Sequence, residues 1–265
     1  MNGVMQNSPA SVKDLIRSVS VADLDDIVRA AQALHDFVNC RAEMRVAVSH
    51  NIAARRTPVD ADGAFLAQTV FGWDGEKSSW WRNPRYALLS PIPAACRYET
   101  DVFWVNADGF HTKQPNHHID AIDLSNFESF ATSRSAMVAP IHLTFAQIGG
   151  VSFNPTDPDK TDLSKEYAEF GDEFATAARA FVRSYVSVIG DVSGLPPQSK
   201  LSKREAECLR WAAVGKTDQE IGMILSRSRA TVRFHIHNAS VKLDAVNRSQ
   251  TVFKAAQLGY IRFPK

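Results

Sequence analysis

The sequence predicts an α+β N-terminal domain, an antiparallel sheet flanked by helices, followed by an all-α C-terminal domain of four helices. Along residues 12–188 the spacing of apolar residues changes from helical to alternating and back. Residues 190–199 contain two glycines and a Pro–Pro pair, a composition typical of a linker. Residues 201–265 contain four short helical patterns, each with its own start signal. We therefore expect domains at residues 1–189 and 201–265, joined by a linker at 190–200.

The N-terminal domain carries both helical and strand patterns. Helical spacing of apolar residues predicts helices at Val12–Val19, Ala22–Val38 and Leu124–Thr132. Short apolar and β-branched runs predict five strands, at Met44–Ser49, Thr69–Phe71, Val102–Val105, Met137–Thr144 and Ile148–Phe153. The last two strands are close enough in sequence to form a hairpin. Helices on both sides of a mostly antiparallel sheet are typical of an α+β sandwich.

A long amphipathic helix closes the N-terminal domain. Its apolar stripe recurs every three or four residues and is unusually aromatic, with Leu163, Tyr167, Phe170, Phe174, Ala178, Phe181, Tyr185 and Val188. Two interpretations are equally open at this point. The stripe either packs into the core of its own domain or pairs with the same helix of a second copy.

The C-terminal domain has a start or stop signal at each of its four helices. A Ser or Thr followed three residues later by Glu forms a capping box, in which each side chain bonds to the backbone N–H of the other residue. Gly just after a helical pattern is a favourable left-handed stop. The signals are Ser202 with Glu205, Thr217 with Glu220, Ser228, Asn247, Gly215 and Gly259. A short turn between the second and third helices predicts a helix-turn-helix unit.

The third of these helices has two different faces. At about 100° per residue, one stripe is apolar and belongs to the core, with Val232, Ile236, Ala239 and Leu243. The opposite face and the N-terminal end present Arg227, Arg229, Ala230, Arg233, Phe234 and His237. Arg can bind a guanine edge with two hydrogen bonds, and Phe can cover a thymine methyl. A basic stripe alone would more often be a solvated face, but an outward Phe favours a DNA major groove.

The charge distribution supports a nucleic-acid partner for the C-terminal part. Residues 200–265 hold 13 basic and 5 acidic residues, whereas the rest of the chain holds 17 basic and 24 acidic residues. A basic module suits a phosphate backbone, from which an acidic one would be repelled. The residues expected to contact the DNA backbone are Lys216, Thr217, Arg227 and Arg248.

Other classes of protein find little support in the sequence. No apolar run approaches the ~20 residues of a membrane-spanning helix, and Met1–Ala10 lacks the segments of a secretion signal. Three cysteines without metal-binding spacing indicate reduced thiols, so we expect a cytoplasmic protein without membrane contact. His117–Asp120 lies in a polar stretch typical of an exposed loop, so no metal site is expected. Without a nucleophile elbow, P-loop or H-E-x-x-H motif, we expect no enzyme activity and no catalytic residues.

Five stretches of the C-terminal domain match a known pattern at the right mutual spacing. They are L-S-x-R-E-x-E-C-L-x-W, G-K-T-x-x-E-I, T-V-x-x-H-x-x-N, K-L-x-x-x-N-R and L-G-Y-I. Leu201–Ile261 thereby resembles the DNA-binding domain of the LuxR family. The resemblance implies that Arg233 and His237 contact base edges, with Phe234 beside them, in double-stranded DNA.

The N-terminal domain partly resembles the autoinducer-binding domain of the same regulators. Val102–Phe103–Trp104 is similar to the P-F-x-W segment, whose Trp lies over the head group of an acyl-homoserine lactone. Ser90–Pro91 stands where the family has Asp-Pro, and Val138 replaces a hydroxyl residue in G-x-T-x-P-I-H. The pocket residues that this resemblance implies are Trp81, Tyr86, Ser90, Tyr98, Phe103, Trp104 and Val138.

These departures have a chemical consequence for the expected ligand. A buried amide of the ligand would lose two hydrogen bonds at Ser90 and Val138, each unmet partner costing ~1–3 kcal/mol. Other side chains, with Tyr98 among the nearest, would have to replace them, or the ligand is not a standard acyl-homoserine lactone. The resemblance implies a ligand-responsive regulator that binds an inverted-repeat operator as a homodimer. The alternatives are a ligand-independent regulator, a sensor of another metabolite, and an N-terminal protein-docking module.

Overall fold

The computed structural model describes residues 11–53, 57–73, 90–190 and 200–261, apart from the side chain of Phe130. The described chain forms two compact units, which divide near Gly190. Within the described ranges, none of the helices combines the length and apolar character needed to span a membrane.

The first unit contains a five-stranded antiparallel sheet. Its strands are β1 (Met44–Ser49), β2 (Phe103–Asn106), β3 (Gly109–His111), β4 (Ser135–His142) and β5 (Ile148–Pro155). They are ordered β1-β5-β4-β2-β3, so the β4–β5 hairpin lies at the centre. The register pairs Val46 with Phe153 and Met137 with Phe153 across adjacent strands.

Helices cover both faces of this sheet. The long ones are α1 (Val12–Val19), α2 (Ile27–Ala42) and α7 (Ser164–Ile189), and they share one core with the side chains of one sheet face. The short ones are α3 (Leu66–Thr69), α4 (Pro91–Ala95), α5 (His117–Asp120) and α6 (Phe127–Phe130). Residues of α4, α5 and α6 pack with Phe103, Val105 and Val138, which lie on the other sheet face.

The aromatic stripe of α7 packs inside its own unit. Phe174, Phe181 and Tyr185 are at most 1% exposed and share a core with α1, α2 and the sheet. Tyr185 also fixes a loop, because its hydroxyl accepts from Val59 N–H at 2.9 Å and lies 3.2 Å from the Val59 carbonyl. The outward face of α7 is polar, with exposed Glu169, Asp172, Glu173, Arg179 and Arg183. Core packing therefore accounts for most of the stripe, and pairing with a second copy, for which Tyr167, Phe170 and Val188 remain partly exposed, stays a prediction.

Several predicted elements differ from the observed ones. Thr69–Phe71 was expected as a strand, but the backbone makes a helical turn at Leu66–Thr69, with Val70 and Phe71 N–H both bonded to the Leu66 carbonyl. Three residues carry too little periodicity to separate the two, and burial of Leu66 and Phe71 decides the conformation. The helix expected at Leu124–Thr132 spans only Phe127–Phe130.

Two further differences concern an element boundary and elements that the sequence pattern misses. The second helix begins at Ile27 rather than Ala22, because the Asp26 carboxylate accepts the Ala22 N–H and holds the preceding turn. Strand β3 and helix α4 are too short to give a pattern of their own.

The second unit contains the four expected helices. They are α8 (Lys203–Ala213), α9 (Asp218–Leu225), α10 (Arg229–Lys242) and α11 (Arg248–Gln257). Both capping boxes are present, at the starts of α8 and α9. Ser228 and Asn247 cap α10 and α11 through the N–H groups of Thr231 and Gln250. A single apolar core connects the four helices.

Candidate functional site

Helix α10 divides into a buried face and an exposed face, as its sequence predicts. Val232, Ala239 and Leu243 are fully buried, and Ile236 is 8% exposed. On the other side, Phe234 is 60% exposed and the side chain of Arg233 is 68% exposed. Ala230 and His237 are also exposed. A large aromatic ring beside exposed cationic and imidazole groups can contact base edges and methyl groups.

A tight turn fixes α10 against α9. Ser226 adopts a left-handed backbone with φ +53°, and Arg227 N–H donates to the Gly222 carbonyl at 2.8 Å. The return of the chain brings the Arg227 carbonyl oxygen 2.6 Å from where a Cβ on Gly222 would lie. Only glycine fits there without movement of the backbone, so Gly222 permits the helix-turn-helix geometry.

A partly buried ion pair fixes α10 against α8. Lys242 Nζ lies 2.8 Å from both carboxylate oxygens of Glu205, which also accepts the Ser202 N–H at 2.7 Å. Burial alone would raise the pKa of Glu205, but the hydrogen bonds from Lys242 and Ser202 hold that pKa below its ordinary value. The anionic carboxylate is thus the bound form, and it positions the start of α8 and the end of α10 together.

Of the residues expected to contact the DNA backbone, some are bonded to other groups of the second unit and others are exposed to solvent. Arg248 is half-buried, pairs with the Asp218 carboxylate and donates to the Lys216 carbonyl at 2.7 Å. The Lys216 ammonium pairs with Glu220 at 3.4 Å, and Thr217 is the N-cap of α9. Arg227 and Arg229 are exposed at the start of α10. Arg248 has an internal role that the sequence did not indicate, whereas Arg227 and Arg229 face solvent.

The first unit contains a cavity between the sheet and its short helices. Its volume is about 110 Å³, well above the ~10–15 Å³ that one buried water needs. The sheet contributes mainly small side chains, because Ala47, Ser49, Ala136, Gly150 and Ser152 all line it. On the opposite sheet face the strands carry bulkier side chains such as Val46, Met137 and Phe153. This difference in side-chain volume leaves the cavity.

The cavity is apolar and uncharged. Ile52, Trp73, Ile92 and Phe127 provide apolar walls, and no charged side chain lines it among the described residues. Its polar groups are hydroxyls and one amide, those of Ser49, Thr57, Ser90, Thr132, Ser152 and Asn154. Asn154, 5% exposed, donates to Ser152 Oγ at 2.7 Å and lies 3.4 Å from Thr132 Oγ1. The chemistry suits a neutral, mainly apolar molecule with a few hydrogen-bonding groups.

The sequence-predicted pocket residues occupy different places. Ser90 and Val138 line the cavity. Phe103 lies on the same sheet face, opposite Val138, but packs in the neighbouring apolar cluster. Trp81 and Tyr86 lie outside the described residues.

Two expected pocket residues lie away from this cavity. Trp104 is paired with Met137 on the opposite sheet face, is 6% exposed and stacks on His111 with ring centroids 3.7 Å apart. Strand alternation places it there, since neighbours of Phe103 must point the other way. Tyr98 is 55% exposed and stacks on His118. Neither side chain faces the cavity, contrary to the expectation from the family pattern.

Several lining residues were missed by sequence reasoning. The alternation of small residues along Gly150, Ser152 and Asn154, paired with Ser49 and Ala47 on β1, was the available signal. Cys96 also lines the cavity, and burial raises the pKa of its thiol to about 12, so it stays protonated. It contributes apolar surface rather than a nucleophile.

Part of the second unit is similar to a known family. Residues 199–255 match the model described as bacterial regulatory proteins, luxR family. The chain is 35% identical over 126 residues to the transcriptional activator protein VanR of Vibrio anguillarum, covering 46% of this chain and 50% of VanR. It is 39% identical over 101 residues to the regulatory protein SdiA of Escherichia coli K12, covering 37% and 42%.

The chain is also similar to a third curated relative and to a solved structure. The chain is 51% identical over 67 residues to the quorum sensing-dependent transcriptional regulator VjbR of Brucella abortus, covering 25% of this chain and 26% of VjbR. A crystal structure of Escherichia coli SdiA aligns with a TM-score of 0.46 and 22% identity over 87% of this chain and 91% of SdiA. The matched segments span half or less of these three curated relatives.

Proposed function

We propose that this chain, whose C-terminal domain belongs to the LuxR family, is a DNA-binding transcriptional regulator that responds to a small neutral signal molecule. The observation that carries the proposal is the exposed face of α10. Arg233, Phe234 and His237 lie together on it, while the buried stripe of the same helix anchors it in the domain core.

Major-groove insertion of α10 follows from this arrangement. Arg233 contacts a base edge, Phe234 covers a methyl group, and His237 contacts the next position one turn along. Arg227 and Arg229, exposed at the N-terminal end of the helix, contact phosphates. Lys216 and Thr217 lie at the start of α9 and contribute further backbone contacts.

Homodimer formation on an inverted-repeat operator is part of the proposal. One small helix-turn-helix domain buries too little surface for tight specific binding, and two domains double it. Most of the α7 stripe is buried in its own unit. The candidates we propose instead are exposed apolar side chains of the second unit, which include Val241, Val246 and Phe253, each more than 60% exposed.

The proposed signal binds the cavity of the first unit. Uncharged walls disfavour an anionic ligand, because a buried charge needs a partner. An acyl-homoserine lactone is neutral and fits the chemical class, but its amide would have to bond to Ser90, Asn154 or a neighbouring hydroxyl. A protein-docking role for the first unit is less favoured, since the hollow between its sheet and short helices is lined by apolar and uncharged side chains.

The experiment tests the two activities separately. The full chain is incubated with a random-sequence duplex library, and bound duplexes are recovered and sequenced to find an operator. Operator affinity is then measured with and without N-octanoyl homoserine lactone, octanol and octanoate, alongside the thermal midpoint of the protein. Enrichment of an inverted repeat and a midpoint raised by the neutral compounds alone support the proposal. Failure to enrich any sequence would refute the DNA-binding part.

A further inference from the structure

The Asp218 carboxylate lies between two arginines of the second unit. Its Oδ1 pairs with Arg248 Nη1, and its Oδ2 lies 3.6 Å from Arg233 Nε. We infer that Asp218 is a positioning residue that holds Arg233 ready to contact a base. This inference rests on the DNA-binding function proposed above.

The carboxylate is itself held in one orientation. Asp218 is the first residue of α9, where the helix dipole favours a negative charge, and its side chain is only 16% exposed. Arg248 bonds at once to Oδ1 and to the Lys216 carbonyl, so it cannot follow a moving carboxylate. With Oδ1 fixed in this way, Oδ2 is directed towards Arg233.

The contact at Nε leaves the two terminal nitrogens of the Arg233 guanidinium available to a base. A guanidinium has five N–H groups, and the two terminal nitrogens can donate together to O6 and N7 of guanine. A carboxylate 3.6 Å from Nε restricts the side chain by charge attraction without occupying that terminal edge. Since the side chain of Arg233 is otherwise 68% exposed, restricting it before binding reduces the entropy lost on contact.

The charge of Asp218 acts in the opposite direction on non-specific binding. A carboxylate beside the proposed DNA surface repels phosphates wherever the protein lands. Only a sequence that engages Arg233 gains from its restraint. Asp218 should therefore strengthen discrimination between sequences while weakening binding to random DNA.

A purely structural role makes a different prediction. If Asp218 served only to join α9 to α11 through Arg248, its loss would loosen the domain. Specific and non-specific affinity would then fall together, in step with a lower thermal midpoint. The ratio of the two affinities therefore separates the roles.

The test uses the full chain, an operator duplex selected by the wild-type protein, and a scrambled duplex of the same length. Affinities for both are measured for wild type, Asp218→Asn, Asp218→Glu and Arg233→Ala, and for the double variants Asp218→Asn/Arg233→Ala and Asp218→Glu/Arg233→Ala. Asp244→Asn is the matched control, because Asp244 is exposed and its replacement removes the same charge from the same unit. Thermal midpoints are recorded for every variant.

We expect Asp218→Asn to bind scrambled DNA more tightly than wild type and to lower the specificity ratio about 2- to 5-fold, the range of an exposed ion pair. Asp218→Glu should recover part of the specificity ratio, and Asp244→Asn should retain all of it. In a protein that already carries Arg233→Ala, adding Asp218→Asn should not change the ratio further. An unchanged ratio in Asp218→Asn, or the same loss without Arg233, would overturn the inference. A wild-type protein that fails to discriminate at all would instead refute the proposed function. If Asp218→Asn unfolds, the inference is tested with Asp218→Glu instead. Its effect on the specificity ratio is then compared between the wild-type protein and Arg233→Ala.

Discussion

Lys242, at the end of α10, donates to both carboxylate oxygens of Glu205 in α8, at 2.8 Å each. The Glu205 side chain is 5% exposed and that of Lys242 is 41% exposed. The pair connects the first helix of the domain to the helix that carries Arg233, so its loss should affect the proposed DNA surface through the fold.

Glu205→Gln should destabilise the second unit by about 1–3 kcal/mol, because the amide replaces a buried anion that accepts three hydrogen bonds. Since the folded-state pKa of Glu205 is lowered, its stabilisation is fully present above the unfolded-state pKa and is lost as pH falls through the folded-state value. Chemical denaturation between pH 7 and pH 3 measures both effects. Glu207→Gln, at a partly exposed site on the same helix, is the control. A wild-type slope with pH in Glu205→Gln would contradict this account.

Gly222→Ala should destabilise the helix-turn-helix by about 1–3 kcal/mol, since its methyl group would lie 2.6 Å from the Arg227 carbonyl oxygen. The thermal midpoint of the full chain reports the loss. Gly109→Ala provides a comparison, because a Cβ there meets no atom within 4 Å. Equal midpoints for the two variants would show that the turn relaxes without cost.

Arg233→Ala should weaken operator binding by about 1–3 kcal/mol and leave the thermal midpoint nearly unchanged, because the side chain is exposed. Binding to a scrambled duplex should weaken less. Arg210→Ala, at another exposed arginine of the same unit, controls for the loss of one positive charge. Wild-type affinity of Arg233→Ala for the operator at physiological salt would exclude α10 from the groove in the proposed manner.

Trp104→Ala should lower stability by about 3–5 kcal/mol without changing the preference for neutral over anionic eight-carbon compounds. The reason is its position in the core on the sheet face opposite the cavity. By contrast, Ala136→Phe should fill the cavity and abolish the ligand-induced rise in thermal midpoint. Loss of ligand binding in Trp104→Ala at full stability would place the indole in the ligand site after all.

Much of the second unit could be predicted from sequence because its information is local. Each helix start is fixed by a cap residue that bonds to a backbone N–H three residues on, so neighbouring residues in the sequence are enough to predict it. These cap residues are Ser202, Thr217, Ser228 and Asn247. The same locality explains why the buried stripe of α10 was predicted correctly. Asp218 was missed because its partners Arg233 and Arg248 become neighbours only after three helices pack.

The first unit was predicted less well because its cavity depends on strand register. Pattern alone placed β1 within its observed bounds, but a side chain's face depends on its partner across the sheet. Trp104 was assigned to the pocket by resemblance, and its register with Met137 places it on the other side. Asn154 and Ser152 were not among the expected pocket residues, and the pairing of Ser152 with Ala47 and Val138 on the two adjacent strands shows which sheet face they share.

The hydrogen bonds between Tyr185 and the Val59 backbone connect the edge of the cavity to α7. Thr57, which lines the cavity, is two residues from Val59, and Val59 is tied by both its N–H and its carbonyl to the Tyr185 hydroxyl. A molecule that displaced Thr57 would strain these two hydrogen bonds to the Tyr185 hydroxyl, near the end of α7. That helix ends at Ile189, immediately before the segment that leads to the second unit. The backbone that lines the hollow is therefore hydrogen-bonded to the helix that closes the first unit.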